Sequence, residues 1–322
     1  MNRLPIVYHP VYSQVLLPDR HPFPMSKFGM LHAELLAQGI ATADQFHVPE
    51  PADTARLALV HSRDYLRRFL HGELSAAEIR RQGLPWSRGL VTRSVTAVGG
   101  TCHTLQLALD LGLATHCAGG THHAHHDFGS GYCLLNDLAV AAAWALHTGR
   151  ASRVLVIDCD VHQGDGTARI FEHDPRVFTL SFHAATNFPA RKAQSDRDVA
   201  LPRDTGDAAY LQALADHVPA VVESFQPDCV LYDAGADVHV ADRLGHLALS
   251  DDGMRARDRY VIEQCLQRAV PIACVIGGGY DRDVPTLVTR GAWSPSHLGS
   301  LAARTERPDP IAVSIDILDE DG

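Results

Sequence analysis

Residues 154–162 read Val-Leu-Val-Ile-Asp-Cys-Asp-Val-His, an apolar, mostly β-branched run that passes straight into alternating carboxylate and imidazole side chains. A short apolar run of this kind is a strand buried on both faces, as parallel strands are. Where the apolar character stops, Asp158, Asp160 and His162 follow at a period of two, so an extended chain projects them to one side. The strand therefore ends in groups suited to holding a cation and moving protons.

Similar runs recur at Ile6–Tyr8, Thr115–Cys117, Val177–Ser181, Cys229–Tyr232 and Ile272–Ile276. Between them the pattern predicts helices over Ser26–Gln38, Ser62–Phe69, Gly89–Leu113, Asn136–Thr148, Ala208–Glu223 and Asp251–Arg268. This alternation predicts an α/β fold of three layers: a doubly wound, mostly parallel sheet with helices on both faces. No repeat or low-complexity tract divides the chain, so residues 1–322 are expected to form one domain with a weakly structured tail over about 291–322. The polar segment Pro189–Arg203 reads as a long surface loop.

With 322 residues, 46% of them hydrophobic, the chain can bury a large core. Its formal charge of −10 argues against nucleic acid, which needs a basic surface. Cys102, Cys117, Cys133, Cys159, Cys229, Cys265 and Cys274 are odd in number and form no Cys-x-x-Cys clamp, the pattern of reduced thiols in a cytoplasmic protein. No run of about 18 apolar residues occurs, so no membrane span is expected.

His122, Asp160, Asp237 and Gly277-Gly278-Gly279-Tyr280 each fall just after a strand candidate. Open α/β sheets bind ligands at the carboxyl ends of their strands, so these separate segments point at one crevice. Asp160 and His162, joined by Asp237 from the Gly-Ala-Asp run at 235–237, offer two carboxylates and one imidazole to a divalent cation. Three protein ligands leave a position for water, as catalytic zinc requires, and the two carboxylates also suit iron, cobalt or manganese. Alone, the Asp-x-His step is weak evidence, and a loop of solvated side chains is the competing explanation.

The tandem pair in Gly119-Gly120-Thr121-His122-His123 can supply a base for a metal-bound water and an acid for a leaving amine. Asp158 and Asp165 are available to hold the outer ring nitrogens and fix the tautomers. An exposed polar loop or adventitious metal tract is the rival reading of His122-His123-Ala124-His125-His126. The glycines at 277–279 let the backbone approach a ligand closely, and the Tyr280 phenol can donate to an oxyanion. A phosphate cradle is disfavoured, because Asp281-Arg282-Asp283 lacks the Lys-Ser/Thr ending of a P-loop.

In this order, His122-His-Ala124, Ser130-Gly-Tyr-Cys-Leu-Leu-Asn-Asp137, Asp158-Cys-Asp-Val-His-Gln-Gly-Asp-Gly166, Gly235-Ala-Asp237 and Gly277-Gly-Gly-Tyr280 resemble the zinc-dependent histone deacetylase family, over roughly Ile6–Tyr280. His21-Pro22-Phe23 with Lys27, Asn187-Phe188-Pro189 and Asp242-Arg243-Leu244-Gly245 are most similar to its class IV members and their bacterial relatives. The resemblance implies the arginase/deacetylase fold and hydrolysis of acyl-lysine amides by metal-activated water. It implies Zn2+, or Fe2+ or another divalent ion, on Asp160, His162 and Asp237. It makes His123 the general base and then acid, helped by His122, with Asp165 and Asp158 as their respective carboxylate partners. Tyr280 would stabilise the oxyanion. Gly131, Tyr132, Phe188 and Leu244 would line a narrow tunnel, with Gly278 near its end. Asp158, Asp160, His162, Ser181 and Phe182 match a structural K+ site. For Tyr132 and Phe188, core packing is the plain alternative.

Some positions depart from the family pattern. Where many deacetylases carry a rim aspartate, this chain has Gly83-Leu84-Pro85-Trp86; His125 and His126 replace frequent lysines, and the interval from Asp237 to His239 suggests a rim position. The expected partner is an acylated lysine in a protein or peptide, or an acylated small molecule. An acetylpolyamine is one such molecule, and the negative balance permits it. An arginase-like dinuclear hydrolase lacks evident additional ligands, and a catalytically inactive binding protein would not need the full set of ligands, histidines and tyrosine.

Overall fold

The run at Val154 is a central strand of an eight-stranded sheet in the computed structural model, which describes residues 4–289. The strands are β1 (Ile6–Val7), β2 (Phe46–His47), β3 (Leu113–His116), β4 (Val154–Asp158), β5 (Val177–Ala184), β6 (Arg197–Leu201), β7 (Cys229–Asp233) and β8 (Ile272–Val275). They lie in the order β2-β1-β3-β8-β7-β4-β5-β6, and every pairing is parallel. Period-two alternation sends Leu155 and Ile157 into one core and Val154 and Val156 into the other, which is why the strand reads as unbroken apolar sequence.

Helices cover both faces. They are α1 (Lys27–Ala37), α2 (Thr54–Leu57), α3 (Arg63–His71), α4 (Ala76–Gln82), α5 (Arg88–Leu111), α6 (Asp137–His147), α7 (Asp165–Phe171), α8 (Asp207–Phe225) and α9 (Asp251–Leu266), and residues 284–289 are also helical. The core on one face draws on α1, α8 and α9, and the other on α3, α5 and α6. Ser62, Ser87, Asn136 and Ser250 accept from the backbone N–H groups of Tyr65, Leu90, Ala139 and Gly253, so these side chains fix where α3, α5, α6 and α9 begin. Each such cap contributes about 1 kcal/mol.

Two strands depart from the sequence expectation, and both lie at sheet edges. β6 falls inside Pro189–Arg203, which is therefore not a loop throughout. Its Arg197, Asp198 and Ala200 are exposed, so an edge strand with one solvated side carries no apolar run to betray it. β2 is two residues long and half-buried. The expected tail over 291–322 lies outside the described residues. All seven cysteines are buried and free, and no helix among the described residues is long and apolar enough to cross a membrane.

Candidate active site

The carboxyl ends of β4, β7 and β8 converge as strand-end ligand sites do. Asp158 and Asp233 are register partners on β4 and β7, and the chain beyond each strand carries Asp160, His162 and Asp237. One donor atom from each of these three residues lies within 4.8 Å of the other two. Backbone amides aim the carboxylates: Asp160 accepts from His162 N at 2.9 Å and Gly278 N at 2.7 Å, and Asp237 accepts from Val161 N at 2.9 Å.

One oxygen of this cluster is left over. Asp237 Oδ2 is buried and has no hydrogen-bond partner among the described residues, although His162 Nδ1 is 3.1 Å from it and 2.9 Å from Asp160 Oδ1. An orphaned buried carboxylate oxygen is costly unless a cation meets it, so the donor set fits a divalent metal. Burial opposes charge on His162, yet its contacts with Asp160 and Asp237 prevail and push its pKa up to about 10. Positive charge is what this centre stabilises. Gly278 is part of its construction, since a Cβ there would sit 1.9 Å from Asp237 Oδ2.

The two histidines beside the cluster have matching bonds and opposite electrostatics. His122 Nδ1 lies 2.7 Å from Asp158 Oδ2, His123 Nδ1 lies 2.7 Å from Asp165 Oδ1, and the rings are 4.1 Å apart. Burial disfavours the His122 cation, but Asp158 and Asp160 outweigh it and hold the pKa well above the ordinary value. For His123, burial and the neighbouring His122 charge win over Asp165 and lower the pKa to about 4. His122 therefore keeps its proton while His123 is neutral, and with Nδ1 donating to Asp165, His123 Nε2 is the free acceptor. The turn carrying the pair is pinned by Asp137, which accepts from Gly120 N at 3.2 Å and Thr121 N at 2.7 Å.

Tyr280 is 8% exposed, its ring 6.3 Å from that of His162. Burial, then Asp160 and Asp237, raise its pKa well above the ordinary value, so the phenol stays protonated and can donate. Its backbone is fixed from both sides: Tyr280 N donates to Asp242 Oδ2 at 2.6 Å, and Tyr280 O accepts from Arg243 Nε at 2.7 Å.

A cavity of about 470 Å³ opens above these groups, lined by His123, Gly131, Tyr132, His162, Asn187, Phe188, Leu244 and Tyr280. Gly131, Tyr132, Phe188 and Leu244 are therefore brought together on its wall. Phe188 packs edge-on to His123 at 4.8 Å, and a Cβ on Gly131, where φ is +52°, would come 2.6 Å from His123 Cδ2. Gly278 lies below, against the carboxylates of Asp160 and Asp237 and a separate void of about 20 Å³ lined by Lys27, Phe28, Leu31 and Ile276. Ser181 faces Asp158 in register at the β4–β5 seam, followed by buried Phe182.

Three further histidines lie around these groups. His239 is not on the rim: it is buried, with Nε2 3.0 Å from Asp251 Oδ1 at the start of α9. His125 Nε2 lies 3.2 Å from Asp165 Oδ2, so it shares the carboxylate that orients His123. The exposed His126 lines a neighbouring cleft with Arg169 and Arg191.

Reading the sequence missed supporting residues. Lys27, buried on α1, donates to Gly277 O at 3.0 Å and Gly279 O at 3.4 Å, holding the glycine loop; burial lowers its pKa to about 8 despite nearby carboxylates. Arg257, fully buried on α9, donates to Cys159 O and Gly235 O, tying together the loops that carry Asp160 and Asp237. Asp233 is buried 3.9 Å from His122 Nδ1 with both oxygens unpaired among the described residues, and burial raises its pKa well above the ordinary value. Lys27 belongs to the His21-Pro22-Phe23 pattern but its contact with the glycine loop is not written there, and nothing in the sequence sets Arg257 or Asp233 apart from an ordinary helix arginine or strand-end aspartate.

Fold and site together define an α/β protein with a carboxylate–histidine centre at its strand ends, beside two carboxylate-paired histidines and a protonated tyrosine. The sequence pattern of the histone deacetylase domain matches residues 21–294. The chain is 50% identical over 286 residues to an uncharacterized protein of Picosynechococcus sp., covering 89% of this chain and 95% of that one. It is 33% identical over 263 residues to the acetoin utilization protein AcuC of Staphylococcus aureus, covering 74% and 67% respectively. To histone deacetylase 2 of Arabidopsis thaliana it is 29% identical over 319 residues, covering 95% and 82%. The solved structure of an HDAC homolog complexed with SAHA shares the fold, with a TM-score of 0.80 at 24% identity over 95% of this chain and 86% of that one. The chain belongs to the histone deacetylase family, a family of hydrolases.

Proposed function

We propose that this protein hydrolyses the amide of an acylated lysine side chain in a protein or peptide, using a divalent ion, Zn2+ in the first instance, on Asp160, His162 and Asp237. The observation that carries this reading is the orphaned Asp237 Oδ2 at the centre of three convergent donors, directly beside a neutral His123 with a free Nε2. When bound there, the ion supplies Lewis-acid chemistry, polarising a carbonyl and lowering the pKa of water toward ~7.

The chain's own groups do the rest. His123 Nε2 takes the proton of the attacking water, with Asp165 fixing the ring and favouring the cation that forms. The same imidazolium then gives its proton to the departing lysine amine, so His123 ends neutral and the products are the free amine and the carboxylic acid, whose proton passes to the amine as they ionise to ammonium and carboxylate. His122 stays protonated throughout, and its charge opposes early protonation of His123 and favours the negative tetrahedral oxygen. Tyr280 donates to that oxygen, a role in which losing one donor costs about 10² to 10³ in rate. Gly131, Tyr132, Phe188 and Leu244 enclose the lysine methylenes. Asp158 and Ser181, register partners at the β4–β5 seam, with Phe182 and with Asp160 and His162 from the chain beyond β4, are the group we assign to a structural K+.

Two features of the described residues weigh against the alternatives. The cavity mouth carries arginines, which oppose a polycationic acetylpolyamine. Among possible second-metal donors, His122 and Asp158 are already bonded to each other at 2.7 Å, which opposes an arginase-like dinuclear centre. A panel of Nε-acyl-lysine peptides from acetyl to myristoyl, assayed with and without chelator beside elemental analysis, tests the proposal. We expect about one divalent ion per chain and turnover that chelation abolishes; an ion-free preparation with full turnover would overturn it.

A further inference from the structure

The cavity mouth has a charge that the rest of the chain does not. With a formal charge of −10 overall, acidic residues would be expected around an arbitrary opening. Instead Arg80, Arg81, Arg243 and His246 are among the residues lining this cavity, and no aspartate or glutamate is. The three arginines are exposed, and none is in an ion pair among the described residues.

Local geometry keeps these cations available. Arg80 and Arg81 end α4, where cations are also favoured by the helix dipole, so stability explains their presence there in part. It does not explain Arg243, on a separate loop. Arg243 Nε and Nη2 donate to Tyr280 O and Pro22 O, which anchors the guanidinium at the opening and leaves Nη1 unpaired among the described residues. Arg81 lies over the Phe128 ring at 4.6 Å, a second anchored cation. Meanwhile the position of the family's rim aspartate is occupied by the Gly83-Leu84 stretch, whose Gly83 carbonyl is 2.9 Å from His21 Nε2.

We infer that the mouth selects acyl-lysine within an acidic peptide, the arginines of two rim segments pairing with carboxylates flanking the modified lysine. This rests on the amide-hydrolase reading, which puts the acyl carbonyl at the floor beside His123 and Tyr280 and so brings the lysine's carrier out past the rim. The same orientation turns the acyl end toward the carboxylates of Asp160 and Asp237, which disfavour a negative acyl group, so the arginines at the mouth face the lysine's carrier. Each exposed pair contributes little, and several acting together steer and hold a charged partner in a way that salt screens.

The test uses three peptides sharing a central Nε-acetyl-lysine, flanked by Glu, Gln or Arg, and acetylspermidine as a fourth substrate. We expect kcat/KM to fall in the order Glu, Gln, Arg, with about tenfold between the extremes at low salt and about twofold or less near 1 M salt. In the Arg80→Glu/Arg81→Glu double variant the order should reverse. Equal kcat/KM for all three peptides, a preference unmoved by salt, or acetylspermidine as the best substrate would overturn the charge inference while leaving amide hydrolysis standing. Hydrolysis of none of the four would overturn both.

Discussion

The floor of the cavity and its mouth are built from different material. Asp160, His162, Asp237, His122 and His123 sit just beyond central strands, all buried, and backbone amides or partner carboxylates orient them. Phe188, Arg80, Arg81 and Arg243 stand on loops or at the end of a short helix, and all are exposed, Phe188 by 41%. The floor thus has one low-energy arrangement, because moving any member strands a buried charge. The mouth can change residue by residue at little cost to the fold. A chemistry fixed by strand ends can in this way be offered to different substrates by altering the rim.

Substitutions should separate the two regions sharply. Asp237→Ala removes a carboxylate from the proposed ion centre, and we expect loss of both bound metal and turnover, read by elemental analysis and peptide hydrolysis. Tyr280→Phe should keep the ion and lose about 10² to 10³ in kcat, because it deletes only an oxyanion donor; wild-type turnover would remove Tyr280 from its role. At the mouth, Phe188→Ala should raise KM about threefold to tenfold with kcat within about twofold, as loss of uniform binding does. A large fall in kcat would instead make Phe188 part of the floor through its contact with His123.

Apart from the site, a further expected effect concerns acid stability. His61 and His116 are buried and neutral, with pKa values lowered from 6.5 to about 4 and about 3 by burial. Their unfolded forms bind protons first, so stability present above pH 6.5 should be lost as pH falls toward 4 and below, by up to about 1.4 kcal/mol per pH unit for each histidine. Urea unfolding between pH 7 and 4.5 checks this, and His61→Gln should flatten the slope without moving the neutral-pH substrate preference. His122, whose pKa is raised, acts oppositely: its contribution is full below pH 6.5 and fades only as pH climbs through its folded value.

How legible each region is follows the same division. Asp158, Asp160 and His162 announce themselves by period-two spacing at the end of an apolar run, and the strand-end rule brings Asp237 and Tyr280 to them from far along the chain. Central strands were legible for the same reason that they are central, burial on both faces. β6 escaped notice because one of its sides is solvated and reads as loop, and β2 because two residues make no pattern. Lys27 and Arg257 act on backbone carbonyls of distant loops, a function no local sequence pattern records. Arg80, Arg81 and Arg243 look like any solvated surface in sequence, and only the shared cavity gives them a common meaning. His239 misled because proximity along the chain to Asp237 does not survive the turn that sends it toward α9.

The most direct test strips the wild-type protein of metal and titrates Zn2+ back, following binding by calorimetry and acetyl-lysine peptide hydrolysis in the same samples. We expect saturation near one ion per chain, with activity rising in proportion to occupancy. Hydrolysis by the stripped protein, or an ion that binds at Asp160, His162 and Asp237 without restoring hydrolysis of any acyl-lysine peptide, would contradict it.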